Sequence, residues 1–359
     1  MTERAISAPG KLFVSGEYAV LWGGVARVAA VAPRVSAYVR SRDDRRVDVL
    51  LESGRLTGTA TPAGVKWGGE VSPEFRFVAQ TIDLAYRLHS HDGPGFAVAF
   101  EPSPTESGRK LGFGSSARAT VLAAEAARSA LGASFDTLKL ALVAHNDAQH
   151  GKGSGADVAA CFAGGLSRYR RYPVERLVKA ASGGGFASTL GQAPPVDLAR
   201  LVTPNASMIY AFSGSSASTT SLIAQVEREW SPEKRAGFVE TSDALGDVLE
   251  QALLRRDFAG VTEACAGLQS ALWSLGATRN EGLERLLALA TTFGCTGKQS
   301  GAGGGDGALL FAPDDGARDA LLAALAERKL FALPVEFDPG IQGEAVVPES
   351  LSLWVNAGW

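Results

Sequence analysis

Three glycine-rich segments hold most of the side chains that could do chemistry in this chain. The first is Lys110-Leu-Gly-Phe-Gly-Ser-Ser-Ala117, directly ahead of an alanine-rich helical stretch. Gly112 and Gly114 let backbone N–H groups come close to a ligand. The helix that follows offers unpaired donors and the positive end of its dipole. Ser115 and Ser116 add hydroxyls for phosphate or a metal ion. Such a segment can cradle a polyphosphate, or it can be a plain loop with a serine cap. The second segment, Gly153-Ser-Gly-Ala-Asp157, sets a carboxylate behind a glycine turn. Asp157 is either a helix cap or a general base or orienting group facing an anion. Lys152 stands beside it for an anionic substrate.

The third segment, Lys298-Gln-Ser-Gly-Ala-Gly-Gly-Gly-Asp-Gly307, has five glycines. Ordering them costs up to about 1 kcal/mol each relative to alanine. A turn needs one or two, so the run points to backbone passing close to a ligand, with Lys298, Ser300 and Asp306 among the glycines. At the other end, Ala8-Pro-Gly-Lys11 precedes a strand and the turn Ser15-Gly-Glu-Tyr18. Lys11 reads either as an edge lysine or as a fixed cation for phosphate charge.

The Walker A motif is absent and the dinucleotide motif fits poorly. No Gly-Lys pair has the upstream glycine and following Ser/Thr of a Walker A loop. Gly112 to Ala117 fits the dinucleotide pattern GxGxxG/A, but residues 106–110 do not read as a strand entering the turn. The first part of the chain also lacks βαβ alternation.

The elements that must position these loops follow from patterning. Segments 13–21, 26–41, 45–53 and 93–104 read as strands and turns. Helices are expected over 116–131 and 134–150 and from about 157. Residues 183–205 read as a connection. A strand at 207–214, helices at 231–256, 257–275 and 280–292, a strand at 307–313, a helix at 317–329 and a strand at 332–338 follow. This is an α+β pattern. The length of 359 residues suits two domains, expected at 1–195 and 196–359.

Composition narrows the function. Hydrophobic residues are 46% and charged residues 20%, so wholesale disorder is excluded. With 35 basic and 38 acidic residues the net charge is −3, which does not favour nucleic acid or an anionic membrane. Cys161, Cys265 and Cys295 are widely spaced, arguing against a zinc site or a disulfide framework. No signal peptide or membrane span is evident, and a cytoplasmic protein, monomer or homodimer, is the expectation.

Together the segments at 8–21 (APGKLFVSGEYAVL), 110–121 (KLGFGSSARATV) and 298–311 (KQSGAGGGDGALLF) resemble the GHMP kinase superfamily (galactose, homoserine, mevalonate and phosphomevalonate kinases), in order and across nearly the whole chain. The resemblance implies a ribosomal protein S5 domain 2-like N-terminal domain and a ferredoxin-like C-terminal domain. Within the superfamily the details are most similar to the phosphomevalonate kinases: Glu17-Tyr18, Lys110 ahead of the loop, and the stretch from Phe212 to Thr219. Mevalonate kinases place a metal-binding glutamate where Asn146 stands, with Asp147 next to it. The segment also departs from the family, since Arg118 occupies a turn that is usually small and apolar.

What the resemblance implies is an ATP- and Mg²⁺-dependent kinase acting on phosphomevalonate, with Lys11, Lys110 and Asp157 catalytic. Lys110, Gly112, Gly114, Ser115, Ser116 and Ala117 would hold ATP, and Ser116 the metal. Lys11, Tyr18, Lys152, Ser154, Ser213, Lys298, Ser300 and Asp306 would line the substrate site. Mevalonate kinase is the nearest rival, a catalytically silent metabolite sensor on the same fold is another, and a nicotinamide dehydrogenase is the distant third.

Overall fold

The computed structural model describes residues 3–89, 93–106, 108–215, 219–344, 347–349 and 351, with the backbone alone at 106, 109, 110, 219 and 220. The chain opens with five strands: β1 (Glu3–Ser15), β2 (Val25–Ser41), β3 (Arg46–Leu51), β4 (Gly54–Thr61) and β5 (Gly64–Trp67). Helix α1 (Arg76–His89) and strand β6 (Phe96–Phe100) follow, then a small ladder of β7 (Thr105–Glu106) and β8 (Arg109–Lys110). Helices α2 (Ser115–Ala130), α3 (Thr137–Ala148) and α4 (Ala156–Ala163) lead to β9 (Leu166–Arg170), α5 (Glu175–Gly183), α6 (Phe186–Gly191) and β10 (Leu198–Arg200). The rest comprises β11 (Ser207–Phe212), α7 (Thr219–Glu229), α8 (Pro232–Arg255), α9 (Phe258–Ser274), α10 (Glu281–Thr292), β12 (Thr296–Ser300), β13 (Gly307–Ala312), α11 (Asp315–Glu327), β14 (Ala332–Pro334) and β15 (Gln342–Glu344).

Two sheets organise these elements. The first runs β10-β9-β2-β6-β3-β4-β5, with β1 paired to both β2 and β15. Its pairs are antiparallel except β3 with β6, where Val47 faces Phe96. One face packs on α1 to α4, and Val28, Val39, Val49 and Val98 meet Ile82, Val121, Leu142 and Val158 in a single apolar core. The second sheet runs β12-β13-β11-β14, all antiparallel.

The second sheet shows why 307–313 is apolar without alternation. Successive strand residues point to opposite faces. Leu309 and Phe311 of β13, with Met208, Tyr210 and Phe212 of β11, pack towards α8 and α9 and towards Leu12 and Val31 of the first sheet. Ala308 and Leu310, with Ile209 and Ala211, pack towards α10 and α11. A sheet covered on both faces must be apolar on both.

Local chemistry starts the scaffold helices where it should. Asp136, Ser231, Asp257, Asn280 and Asp314 each accept the backbone N–H three residues on, at the starts of α3, α8, α9, α10 and α11. A buried ion network ties the halves together. Arg27 of β2 donates Nε to Glu250 Oε2 at 2.8 Å and also pairs with Asp247, both on α8.

Three readings of the chain change. Segment 13–21 is a strand only to Ser15; Gly16, at φ 88°, then turns the chain into the 3₁₀ helix Ala19–Trp22. Segment 183–205 is not a bare connection, since it contains α6 and β10, and β10 pairs with β9. The strand expected at 332–338 keeps ladder pairing only over β14, with an isolated bridge from Phe337 to Val31.

Candidate active site

A cleft of about 550 Å³ opens where the first two glycine segments, the Glu17-Tyr18 turn and the third glycine segment meet. Its first wall is residues 111–116. Lys11 of β1 anchors that wall: its backbone N–H donates to Phe113 O at 3.1 Å and its Nζ to Gly112 O at 2.9 Å. Tyr210 from the second sheet donates its hydroxyl to Leu111 O at 2.5 Å, and its ring lies 4.7 Å from that of Phe113. Gly114, the residue before α2, sits in the left-handed region at φ 77°, and a Cβ there would lie 2.9 Å from Lys11 Cγ. No side chain caps α2. Its first N–H groups therefore keep their donor capacity, as a phosphate site requires.

The second wall is the start of α4. Gly155 precedes it at φ 80°, again with no side-chain cap, and a Cβ there would meet the Tyr169 hydroxyl at 2.8 Å. Tyr169 donates that hydroxyl to Ser154 O at 2.9 Å, which fixes the turn. Asp157 stands in the first turn of α4 with its carboxylate partly exposed.

A residue not singled out from the sequence joins the two walls. His145 of α3 is buried and places Nε2 3.1 Å from Ser116 Oγ and 3.7 Å from Asp157 Oδ2. Burial pulls its pKa below the ordinary range, against the opposing pull of Asp157. The ring is therefore neutral at physiological pH and acts as a spacer for the serine and the carboxylate. Nothing in its spacing marked it; only the packing of α3 on α2 and α4 brings it there.

Strained backbone collects at the cleft. Five non-glycine residues among those described have positive φ, and Tyr18, His150 and Asp306 of the five line the cleft. Such conformations cost of order 1–3 kcal/mol each and gather at ligand sites.

The structure brings Lys11, Tyr18, Gly112, Gly114, Ser115, Ser116, Lys152, Ser154, Asp157 and Asp306 to this one cleft. Glu17, Arg76, Phe77, Arg118, Gln149 and Ile223 also line it. The Lys110 side chain lies outside the described residues. Ala117 is buried in the core under the cleft, so only its backbone is placed to meet a ligand.

Three expected substrate contacts lie elsewhere. Lys298 is fully buried and donates Nζ to Glu17 Oε1 and to Gln299 O, both at 2.5 Å. A lysine in the apolar interior needs a carboxylate, and Glu17 is the one within reach. Ser300 accepts Phe13 N–H at 2.9 Å and donates to Phe13 O at 3.0 Å, clipping β12 to β1. Ser213 hydrogen-bonds within its own loop to Ser215 and does not line the cleft. Ser216 to Ser218 of the same segment lie outside the described residues.

The donor set for a metal is sparse. Among the described residues no three His, Cys, Asp or Glu side chains cluster. Asp147 does not replace the missing glutamate, because its carboxylate accepts from Gln80 Nε2 at 2.5 Å and lies outside the cleft lining. Asn146 donates to Gly153 O at 3.1 Å. Ser116 and Asp157, brought together on His145, are a pair of oxygen donors in the cleft, with Ser115, Ser154 and Asp306 also in its lining. That set suits Mg²⁺, which keeps several waters and completes its shell with substrate phosphates.

The chain is similar to several known proteins. The family described as GHMP kinases N terminal domain matches residues 78–165, which include the α2 and α4 walls. A phosphomevalonate kinase of Streptomyces sp. (strain CL190) is 28% identical over 371 residues, covering 94% of this chain and 97% of that protein. A mevalonate kinase of Aeropyrum pernix is 34% identical over 46% of this chain and 50% of that protein. Among solved structures, Streptococcus pneumoniae phosphomevalonate kinase in complex with phosphomevalonate and AMPPNP superimposes with a TM-score of 0.78 at 19% identity. It covers 92% of this chain and 99% of that one. The two-sheet architecture is thus that of the GHMP kinases. Among the described residues no helix is long and apolar enough to cross a membrane.

Proposed function

The chain belongs to the GHMP kinase superfamily, and from that premise we propose that it transfers the γ-phosphoryl group of ATP to the phosphate of (R)-5-phosphomevalonate. The products would be ADP and 5-diphosphomevalonate. One observation carries the choice of acceptor. Lys11, Arg76 and Lys152 line the cleft with no ion-pair partner among the described residues, while Glu17 is already committed to Lys298. A lining with uncommitted cations suits an acceptor that is itself an anion. The full-length similarity to a protein named phosphomevalonate kinase supports the same reading.

The chemistry then divides among the residues. An acceptor phosphate is ionised near neutral pH, its second pKa being about 6, so a strong general base is not required. The difficulty is repulsion between two polyanions, and positioning and charge neutralisation must supply the rate. The N–H groups of residues 112–117 bind the nucleotide phosphates. Lys11, held against Gly112 O, places its ammonium beside them; Lys110 remains a candidate for the same task on sequence grounds. Ser116 and Asp157 would hold Mg²⁺, whose contribution is charge neutralisation between the nucleotide oxygens. Asp157 orients the acceptor, and His145 keeps it in register with Ser116. Tyr18, Lys152, Ser154 and Asp306 bound the acceptor end.

Mevalonate as acceptor is the second reading, favoured by the half-length similarity to a protein named mevalonate kinase. An alcohol must lose a proton, so Asp157 would then serve as general base. ADP release with Mg-ATP, run in parallel with phosphomevalonate, mevalonate, homoserine and galactose, separates the readings. Turnover with phosphomevalonate alone is expected. Turnover with mevalonate instead would overturn the acceptor, and ATP binding without turnover on any of the four would leave a metabolite sensor.

A further inference from the structure

Three basic side chains of this protein, Arg27, Arg118 and Lys298, rank among its largest fully buried groups. Two are neutralised in the ordinary way: Arg27 by Asp247 and Glu250, and Lys298 by Glu17. Arg118 has no carboxylate within ion-pair distance among the described residues. It sits in the first turn of α2, directly after the anion loop, with 2% of its surface exposed. Nη1 donates to Pro33 O at 3.1 Å, and Nε is buried without a partner.

The ionisable group beside Arg118 is the Cys161 thiol, which burial pushes up to about 12, so it carries no balancing charge. Cys161 follows Asp157 by four residues on α4, one turn along the same face, and Arg118, Lys11 and Asp157 all line the cleft. An arginine does not escape the problem by shedding its proton. A buried charge without a counter-ion is among the costliest groups a protein can keep. The cleft that Arg118 lines is the route by which a counter-ion can reach it.

We propose that Arg118 is a specificity-determining residue: its guanidinium is the counter-ion for the phosphoryl group of the acceptor, and it selects a phosphorylated acceptor over the corresponding alcohol. The proposal deepens the phosphomevalonate reading and rests on it for the identity of the acceptor. A neutral polyol or alcohol in the same place leaves the buried charge unbalanced. A phosphoryl group neutralises it and gains a charge-assisted contact.

The test is calorimetric titration of the wild type, Arg118→Met and Arg118→Gln with phosphomevalonate and, separately, inorganic phosphate. Mg·AMPPNP is held at saturation in these runs and is titrated by itself into each protein in a separate one. Both neutral variants should fold, because removing an unpaired buried charge relieves a cost. Both should lose at least about tenfold in affinity for the two phosphoryl ligands while binding Mg·AMPPNP within about twofold of the wild type. Variants that bind phosphomevalonate as tightly as the wild type would overturn the role of Arg118 and leave the acceptor reading intact. An equal loss for AMPPNP would move Arg118 to the nucleotide side, and failure of both variants to fold would make it a scaffold cation; either overturns the proposal. Wild-type protein that binds phosphate through Arg118 but ignores phosphomevalonate would keep the counter-ion and break the acceptor reading. Wild-type protein that binds neither would overturn both.

Discussion

Two of the three glycine-rich loops of this protein, the first and the third, look alike in sequence and do different work. Residues 110–117 turn their backbone towards the cleft. Gly112 and Gly114 take left-handed φ of 76° and 77°, α2 begins without a side-chain cap, and Lys11 lies over the loop. Residues 298–307 turn most of theirs towards protein. Gly304 N–H donates to Thr278 O at 2.8 Å and Asp306 N–H to Ser215 O at 2.7 Å. Ala302 O accepts the Tyr18 hydroxyl at 2.8 Å, and a Cβ on Gly303 would lie 2.7 Å from Thr278 O. Only Gly301, Ala302 and Asp306 of this loop reach the cleft. Glycine density therefore signals close backbone approach, but it does not say whether a ligand or another strand makes the approach.

The two lysines attached to these loops give the largest tests of that difference. Lys298→Met strands the buried Glu17 carboxylate and should cost about 3–5 kcal/mol in urea unfolding. The double variant with Glu17→Gln should recover much of that loss. An unchanged stability with a large fall in turnover would return Lys298 to the substrate site and erase the contrast. Lys11→Ala should do the reverse. A fall in kcat of about 10² or more is expected, the scale of one lost transition-state donor, with an unfolding midpoint near that of the wild type.

Paired glycine substitutions sharpen the comparison at smaller scale. Gly303→Ala must push against the backbone of Thr278 and should lose about 2 kcal/mol of stability or more, with KM for ATP little changed. Gly114→Ala meets a flexible lysine stem instead. Its left-handed penalty is about 1–2 kcal/mol, and the displaced Lys11 should show as a raised KM for ATP. Equal effects of the two on ATP kinetics would break the distinction.

The smallest effect is a pH slope under the first loop. Burial holds the His145 pKa below its ordinary 6.5, so the unfolded chain takes up that proton more readily than the folded one. Stability in metal-free buffer should be full above that value. It should decline as pH falls below it, by at most about 1.4 kcal/mol per pH unit. His145→Gln should remove this part of the slope, and an unchanged slope would exclude His145 as its source.

Much of the fold was legible because it is written in local rules. The expected helix at 116–131 appears at Ser115–Ala130, those at 231–256 and 257–275 at Pro232–Arg255 and Phe258–Ser274, and 280–292 at Glu281–Thr292. Their caps and apolar spacing are properties of neighbours in sequence. Helix α1 went unread although Val78, Ile82, Ala85 and Tyr86 carry helical spacing onto the core. Within the site, Lys11, Tyr18, Ser116, Asp157 and Asp306 reach one cleft as expected, Lys298, Ser300 and Ser213 do not, and His145 and Arg118 carried no local mark of function.

The sequence by itself determined where most of the later helices begin, which turns require glycine, and that glycine-rich backbone precedes the uncapped start of α2. Each of these follows from φ/ψ sterics and hydrogen bonding within a few residues. Only the tertiary structure decided what each charge is for. Lys298 meets Glu17 across 281 positions, Ser300 meets Phe13 across 287, and Arg118, among the described residues, meets a backbone carbonyl 85 positions away and no carboxylate. Whether a buried cation is neutralised by its own chain or left for a ligand depends on which carboxylates the packed sheets bring within a few ångströms, and chain distance carries no record of that.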